Sequence, residues 1–310
     1  MSAFSARAEL LEDRGEAAAA NEFFRSRPYL DAEGTTHTLR IESGEAELVA
    51  PLVVREIEGT GERDGVSPYG YPGLVGPGDV LDPASIDFAA TGLVSVFIRH
   101  ALGPSPLAGA SERNLVQIAD PQLPPKSRPS DRRQVRRNLD AGYALEVVPG
   151  GEATDGQRAG FLEVYEQTMR RTGAAAHYFF GAGYFERILS ADRTWLVLAN
   201  APSGEVAAAS IAVVSDGYLH YYLSGSADSQ LRAAPMKNVV TRLVEHAADL
   251  ALPLNLGGGI SPGDALEEFK RGFANRQQRW LTSELICDEE KYARLSRNRA
   301  PDGFFPAYRA

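Results

Sequence analysis

The sequence predicts an α+β fold in which mixed, mostly antiparallel sheets are flanked by helices. Runs of apolar and β-branched residues joined by short turns predict antiparallel strands in both halves, at 36–57 and 194–224. Segments with apolar residues at helical spacing flank both runs. The same mixture occurs twice in 310 residues. Two domains are therefore expected, each large enough for its own core.

In the first half, residues 16–26 read as a helix, and 36–42 with 45–57 read as a hairpin about Ser43-Gly44. The aromatic turn Ser67-Pro-Tyr-Gly-Tyr-Pro-Gly-Leu74 follows. Residues 86–101 are expected to form a helix carrying Phe88, Leu93, Val94, Phe97 and Ile98. A short strand is predicted at 114–118. A basic helix is predicted at 130–141, capped by Ser130 or Asp131 and ended by Gly142. Residues 143–148 are a further strand. In the second half, 157–171 and 183–189 read as helices. Three consecutive antiparallel strands follow at 194–199, 206–214 and 218–224, with turns at 201–204 and at Asp216-Gly217. A helix at 236–250, a strand at 252–256, a helix at 264–273 and a strand at 278–287 complete the pattern.

The turn-rich stretch Pro149-Gly-Gly-Glu-Ala-Thr-Asp155 is the expected boundary. It divides the chain into 1–149 and 150–287, with 288–310 expected to return and complete the first domain. A second proline-rich stretch, 123–129, leads into the basic helix.

Composition narrows the function classes. Hydrophobic content of 44% and charged content of 24% are ordinary for a globular protein. A net charge of −9 argues against a surface that grips nucleic acid everywhere, though it allows a local basic patch. The single cysteine, Cys287, excludes an internal disulfide framework and a multi-cysteine zinc site. The histidines, His37, His100, His177, His220 and His246, show no metal-ligand spacing and read as structural or exposed. No Gly-x-Ser-x-Gly elbow is present. No metal or cofactor is expected. No apolar run reaches the length of a membrane span, and the first residues lack a signal-peptide core, so the protein reads as cytoplasmic.

The most informative segment is Asn255-Leu-Gly-Gly-Gly-Ile260 followed by Leu266-Glu-Glu-Phe-Lys-Arg-Gly-Phe273. A strand runs into Gly257, Gly258 and Gly259, which let backbone pass close to a ligand or another strand. The helix after it sets Leu266, Phe269 and Phe273 on one face, with Lys270 beside the stripe. Only Lys126, Lys237, Lys270 and Lys291 are lysines in this chain. Lys270 is either a cation aimed at whatever the glycines admit or a solvated helix lysine.

The order helix, antiparallel strands, helix, strand, helix, strand resembles that of an acetyltransferase-like (GNAT) domain, and the whole chain resembles tandem GNAT-like domains. Five segments carry a closer resemblance. They are the turn 67–73, the Arg-rich helix Arg132-Arg-Gln-Val-Arg-Arg-Asn-Leu139, Tyr165-Glu-Gln-Thr-Met-Arg-Arg171 leading to Tyr178 and Tyr184, Tyr221-Tyr-Leu-Ser-Gly-Ser226, and Asn255-Leu-Gly-Gly-Gly with Phe269-Lys270. In this order the chain resembles the FemABX-like family of aminoacyl-tRNA-dependent peptidyltransferases and FemAB-like acyltransferases. It lacks the long helical-hairpin insertion of some members.

The resemblance implies that an amine attacks an activated aminoacyl ester. It implies aminoacyl-tRNA as donor and a small peptide or nucleotide-linked cell-wall precursor as acceptor. Lys270 would serve the oxyanion or the terminal phosphate of the acceptor end, and Phe269 would shape the channel. Arg171, Tyr178 and Tyr221 fall where the family binds acceptor phosphates. Tyr69 and Tyr71 are expected to line the cleft, or else to form a structural turn. Ordinary GNAT enzymes instead cradle the pyrophosphate of acyl-CoA on a glycine loop at a helix start. The chain has Gln230-Leu-Arg-Ala-Ala-Pro235 there, with Ala233 and Pro235 at the glycine positions. Pro235 has no N–H to donate. That disfavours an acyl-CoA-dependent N-acyltransferase, which stays the alternative enzyme; a non-catalytic binding module is the alternative of another class.

Arg132, Arg133, Arg136 and Arg137 form two i,i+4 rows of like charge, unfavourable unless an anion is near. They are candidate tRNA-backbone contacts. The competing reading is a solvated helix paired with acidic neighbours.

Overall fold

The structure is a computed structural model, which describes residues 4–12, 22–297 and 303–310. The chain divides into two compact units, 1–113 with 279–310, and 114–278. The expected break at 149/150 falls inside the second unit. There the strand that ends at Pro149 is hydrogen-bonded along its length to the strand at 194–200, and so cannot belong to a separate body.

The first unit begins with β1 (Ala6–Leu11), a 3-10 turn at Phe23–Arg25 and α1 (Arg27–Ala32). The helix expected at 16–26 falls largely outside the described residues. The expected hairpin is present as β2 (His37–Ser43) and β3 (Ala46–Ile57), paired antiparallel through Ser43–Ala46. Then come β4 (Glu62–Val66), β5 (Ile86–Asp87) and β6 (Ser95–Arg99). The helix expected at 86–101 is thus a correction. Gly92 adopts a left-handed φ of +63° that ends a 3-10 turn. Beyond it, Val94, Val96 and Ile98 are β-branched and fully buried, which suits a strand inside a sheet.

In the second unit, β7 (Ser111–Ala119) leads to α2 (Pro129–Asp140), β8 (Ala144–Pro149), α3 (Asp155–Thr172) and α4 (Ala182–Ser190). The antiparallel strands β9 (Thr194–Asn200), β10 (Val206–Ser215) and β11 (Tyr218–Ser226) follow, then α5 (Met236–Asp249), β12 (Leu254–Gly257) and α6 (Ala265–Arg271). The neighbour order in this sheet is β7-β12-β11-β10-β9-β8. Only β11–β12 is a parallel pair among the registers from β7 to β8. α2 starts one residue earlier than expected and is not capped by Ser130 or Asp131. Arg128 is the cap residue and Pro129 takes the first helical position, where its missing N–H costs nothing. Asp131 is buried and paired with Lys237 of α5 at 2.7 Å.

The chain returns to the first unit through β13 (Arg276–Ile286), which pairs antiparallel with β6 from Thr282 to Ile286, and then α7 (Glu289–Ser296). The last residues pack there too. Tyr308 bonds to Ser95 at 2.7 Å, and Arg309 holds Asp64, which is fully buried and also paired with Arg55 at 3.0 Å.

Each unit has its own core. In the first, Leu39, Ile41, Leu48, Leu52, Val96 and Ile98 pack between the sheet and its covering loops. In the second, Val197, Val214, Leu219, Val239, Leu243 and Leu254 pack α5 against the sheet, with Tyr221 and Phe269 at the margin. On α3 and α4, Phe161, Tyr165, Tyr184 and Phe185 make a second aromatic layer.

Candidate functional site

The site is made by two strands that part. β11 and β12 pair through Leu219–Leu254 and His220–Asn255, where the register ends. Immediately afterwards β11 carries a bulge: Ile211 faces Leu223 and Ala212 faces Tyr221, so Tyr222 is the extra residue of the strand. A bulge bends a strand and raises its local twist. Here it falls where β11 leaves β12, and β12 ends in the glycine turn.

Lys270 touches both arms of this opening. Its Nζ donates to the Gly258 carbonyl at 2.7 Å and lies 5.9 Å from the centre of the Tyr221 ring. Only 8% of the residue is exposed. The expectation of a solvated helix lysine is therefore not met. Burial draws its pKa down from 10.5 to about 8, against the opposing charge of Asp264. A lysine in this range is still mostly an ammonium at pH 7 and can also give up its proton. The Tyr221 hydroxyl shares a 2.6 Å hydrogen bond with Ser224, and burial pushes it up to about 12, so it stays a neutral donor.

The glycine turn is held from several sides. Gly257 has a φ of +76°, a conformation that favours glycine. A Cβ on Gly258 would run into the Asn114 side chain, whose Nδ2 also donates to the Gly259 carbonyl at 3.2 Å. Asp264 caps α6 by accepting from Glu267 N, and also accepts from Ile260 N and Ser261 N, all within 3.0 Å. Those backbone N–H groups hold its carboxyl below the usual range. Phe269 packs edge-on against Phe273 at 5.4 Å, at the edge of the core beside Lys270.

The other expected residues are placed as follows. Tyr222 points its hydroxyl to Tyr184 at 2.8 Å, so the tyrosine pair splits between a buried structural ring and Tyr221 at the opening. Arg171 is ion-paired with Asp228 and donates to the Ser226 carbonyl at 3.3 Å, at the far end of β11. Tyr178 accepts at its carbonyl from Tyr165 at 2.8 Å, and its ring lies 4.1 Å from that of His177. Tyr69 and Tyr71 belong to the first unit. Tyr71 packs between Phe24 and Trp280 at 5.6 and 5.2 Å, while Tyr69 bonds through its backbone to Glu33 and Tyr29. Arg132, Arg133, Arg136 and Arg137 are exposed. Arg132 reaches Ser127 and Arg137 reaches Gln134, and none of the four enters an ion pair among the described residues.

Ahead of α5, Ala234 takes a left-handed φ of +48°. The N–H groups of Lys237 and Asn238 are bonded to Ala234 and Pro235 carbonyls at 3.1 and 2.9 Å. The Ala233 carbonyl accepts from Asn138 and Gln134 of α2 at 2.8 and 3.1 Å. Sequence reasoning missed two contributors to the site, Asn114 and the buried pair His220–Asn255. The only local signal was an asparagine two residues ahead of three glycines. Among the described residues no cluster of metal-ligating side chains occurs, and no helix is long and apolar enough to cross a membrane.

Comparison with known proteins matches residues 125–271 to the acetyltransferase (GNAT) domain model, nearly the extent of the second unit. No curated protein matches the chain. Among solved structures, FemX is similar over 93% of this chain and 99% of its own, at 11% identity and a TM-score of 0.62. The C-terminal domain of a putative lysylphosphatidylglycerol synthetase from Agrobacterium fabrum is similar over 87% and 89%, at 13% identity and a TM-score of 0.54. L-PGS from Bacillus licheniformis is similar over 79% and 82%, at 12% identity and a TM-score of 0.50. Residues 125–271 thus match a GNAT domain, within an α+β fold similar to that of FemX, in line with the FemABX-like resemblance.

Proposed function

We propose that the protein is an aminoacyltransferase that moves an amino acid from aminoacyl-tRNA to the amine of a peptide-like or cell-wall-precursor acceptor, forming an amide bond. Acyl transfer is the class that the GNAT domain supports. The observation that carries the finer assignment is Lys270, a buried cation at the parting of β11 and β12; at the start of α5 the Lys237, Asn238 and Val239 N–H groups are already bonded within the chain, which disfavours a pyrophosphate there.

The acceptor attacks the ester carbonyl as its free amine, the carbonyl oxygen takes up negative charge, the bond to the ribose oxygen breaks as the carbonyl re-forms, and the proton that the amine loses balances the one that the ribose oxygen gains. Lys270, as an ammonium, stabilises the oxyanion or gives its proton to the departing oxygen. Phe269 keeps the lysine desolvated, and the Gly257-Gly258-Gly259 turn lets the ester approach backbone. Tyr221 orients the acceptor, with Arg171 at the end of α3 and Tyr178 in the 3-10 turn after it. Arg171 must exchange Asp228 for an acceptor phosphate. Tyr69 and Tyr71 are proposed acceptor contacts of the first unit. Arg132, Arg133, Arg136 and Arg137 hold the tRNA backbone.

The test presents charged tRNA and acetyl-CoA separately, each with an amine acceptor. Acceptor-dependent loss of the aminoacyl ester with a new amide is the expected result, together with no micromolar binding of acetyl-CoA by calorimetry. Consumption of acetyl-CoA would establish the acyl-CoA-dependent alternative, which the name of the matched domain favours. Acceptor binding with neither donor consumed would establish a binding module.

A further inference from the structure

The structure assigns Asn255 and His220 as positioning residues for Lys270: a buried hydrogen-bond line from Ser215 through His220 and Asn255 to Gly257 sets the Gly258 carbonyl on which the lysine rests. The assignment rests on the role given to Lys270 above.

The line has one allowed direction. At one end the Gly257 N–H can only donate, and it donates to Asn255 Oδ1 at 2.8 Å. The Asn255 amide therefore turns its Nδ2 to His220 Nδ1, 3.0 Å away. His220 must then present a lone pair at Nδ1 and carry its proton on Nε2. That nitrogen lies 3.1 Å from the Ser215 carbonyl, which can only accept. Two backbone groups of fixed polarity thus set both the amide orientation and the tautomer. Burial agrees, since it pushes the His220 pKa down to about 4 and keeps the ring neutral. A proton on Nδ1 would face the Asn255 NH2, turn the amide over, and set donor against donor at Gly257.

Asn255 is fully buried and His220 nearly so. Two apolar side chains of similar shape would fill such a place at little cost, whereas one unpaired member is expensive. What the pair adds is direction. Its last bond falls on the first residue of the glycine turn, and the next residue carries the carbonyl that holds Lys270 Nζ. Asn114 closes the same turn from the other side. The parting strands therefore meet a lysine whose place is set by Asn255 beneath the turn and not by helix α6 alone.

The test reads Lys270 directly. The protein is labelled with an amine-selective reagent over a pH series, and the four lysines are followed separately by mass spectrometry. Wild type should give a Lys270 midpoint near 8. Asn255→Leu should raise that midpoint by about one unit or more as the side chain gains water. It should also lower kcat about ten- to a hundredfold, the usual effect of losing a group that orients a functional ligand, with KM changed far less. His220→Asn keeps an acceptor for the Asn255 amide and should hold the Lys270 midpoint near wild type. An unchanged midpoint in folded Asn255→Leu overturns the assignment, and so does an equal shift in His220→Asn. Should Asn255→Leu not fold, nitrogen NMR of wild type decides, because a His220 ring protonated on Nδ1 at neutral pH overturns the line. Full turnover in Lys270→Ala would end the catalytic role of the lysine while leaving the labelling result standing.

Discussion

Replacing Lys270 by methionine removes a buried charge and keeps a long unbranched side chain, and its effect on stability should change sign with pH. In the folded protein the ammonium titrates at about 8, in the unfolded chain near the ordinary 10.5. Below pH 8 both states hold the proton, and the folded state bears the whole cost of burying it. Between about 8 and 10.5 the unfolded chain binds more proton than the folded one, so wild-type stability rises with pH across that window. The gap, at about 1.4 kcal/mol per pH unit, amounts to about 3 kcal/mol. The methionine variant lacks this slope. It also lacks the bond to the Gly258 carbonyl, and an orphaned acceptor costs about 1–2 kcal/mol. The variant should therefore be more stable than wild type by about 1–2 kcal/mol at pH 7, and less stable by about as much at pH 10.5. Urea unfolding followed by the fluorescence of Trp195, which lies in the second unit, gives the difference at each pH. Slopes common to both proteins cancel. A difference that stays level from pH 7 to 10.5 would refute the burial argument. Turnover should fall by about a hundredfold or more in the same variant, because a fixed cation acts mostly in the transition state.

Three further outcomes follow from other parts of the chain. Changing Arg132, Arg133, Arg136 and Arg137 together to Ala should leave unfolding nearly unchanged, weaken charged-tRNA binding and flatten its salt dependence by about three in log–log slope, read by filter binding over a potassium chloride series; an unaltered slope returns α2 to a plain solvated helix. Gly258→Ala forces a methyl into Asn114 and should cost about 1–3 kcal/mol with a loss of turnover, part of which a second change, Asn114→Ala, restores in a double-mutant cycle. Arg309→Ala leaves the fully buried Asp64 with Arg55 and the Tyr308 hydroxyl and should destabilise the first unit by about 2–4 kcal/mol, seen as a lower urea midpoint for Trp280.

The second unit was legible because its signals are local. Ala201–Gly204 and Asp216-Gly217 are turns that announce themselves, and the strands on either side alternate or run apolar as buried strands do. In the first unit the same kind of evidence misled. Phe88, Leu93, Val94, Phe97 and Ile98 fit a helical period, yet Gly92 and the β-branched residues after it decide for a turn and a strand. β4 carries Glu62, Arg63 and Asp64 and shows no apolar run, because Arg55 across the hairpin and Arg309 from the far end of the chain pair with the buried Asp64. The boundary was misjudged for a related reason. Pro149-Gly150 looks like a linker, but β8 is committed to β9 by pairing that composition does not display. At the site the same limit applies. Glycines and a scarce lysine pointed to 257–270, and the structure brings Lys270 to Gly258. His220 and Asn255 lie 35 residues apart, and each alone reads as an ordinary core polar residue. Only the parallel register of β11 and β12 makes them neighbours, and the same register ends there. The pair bonded to the turn and the parting proposed to admit a ligand are thus two consequences of one alignment of strands, which no local period in the sequence encodes.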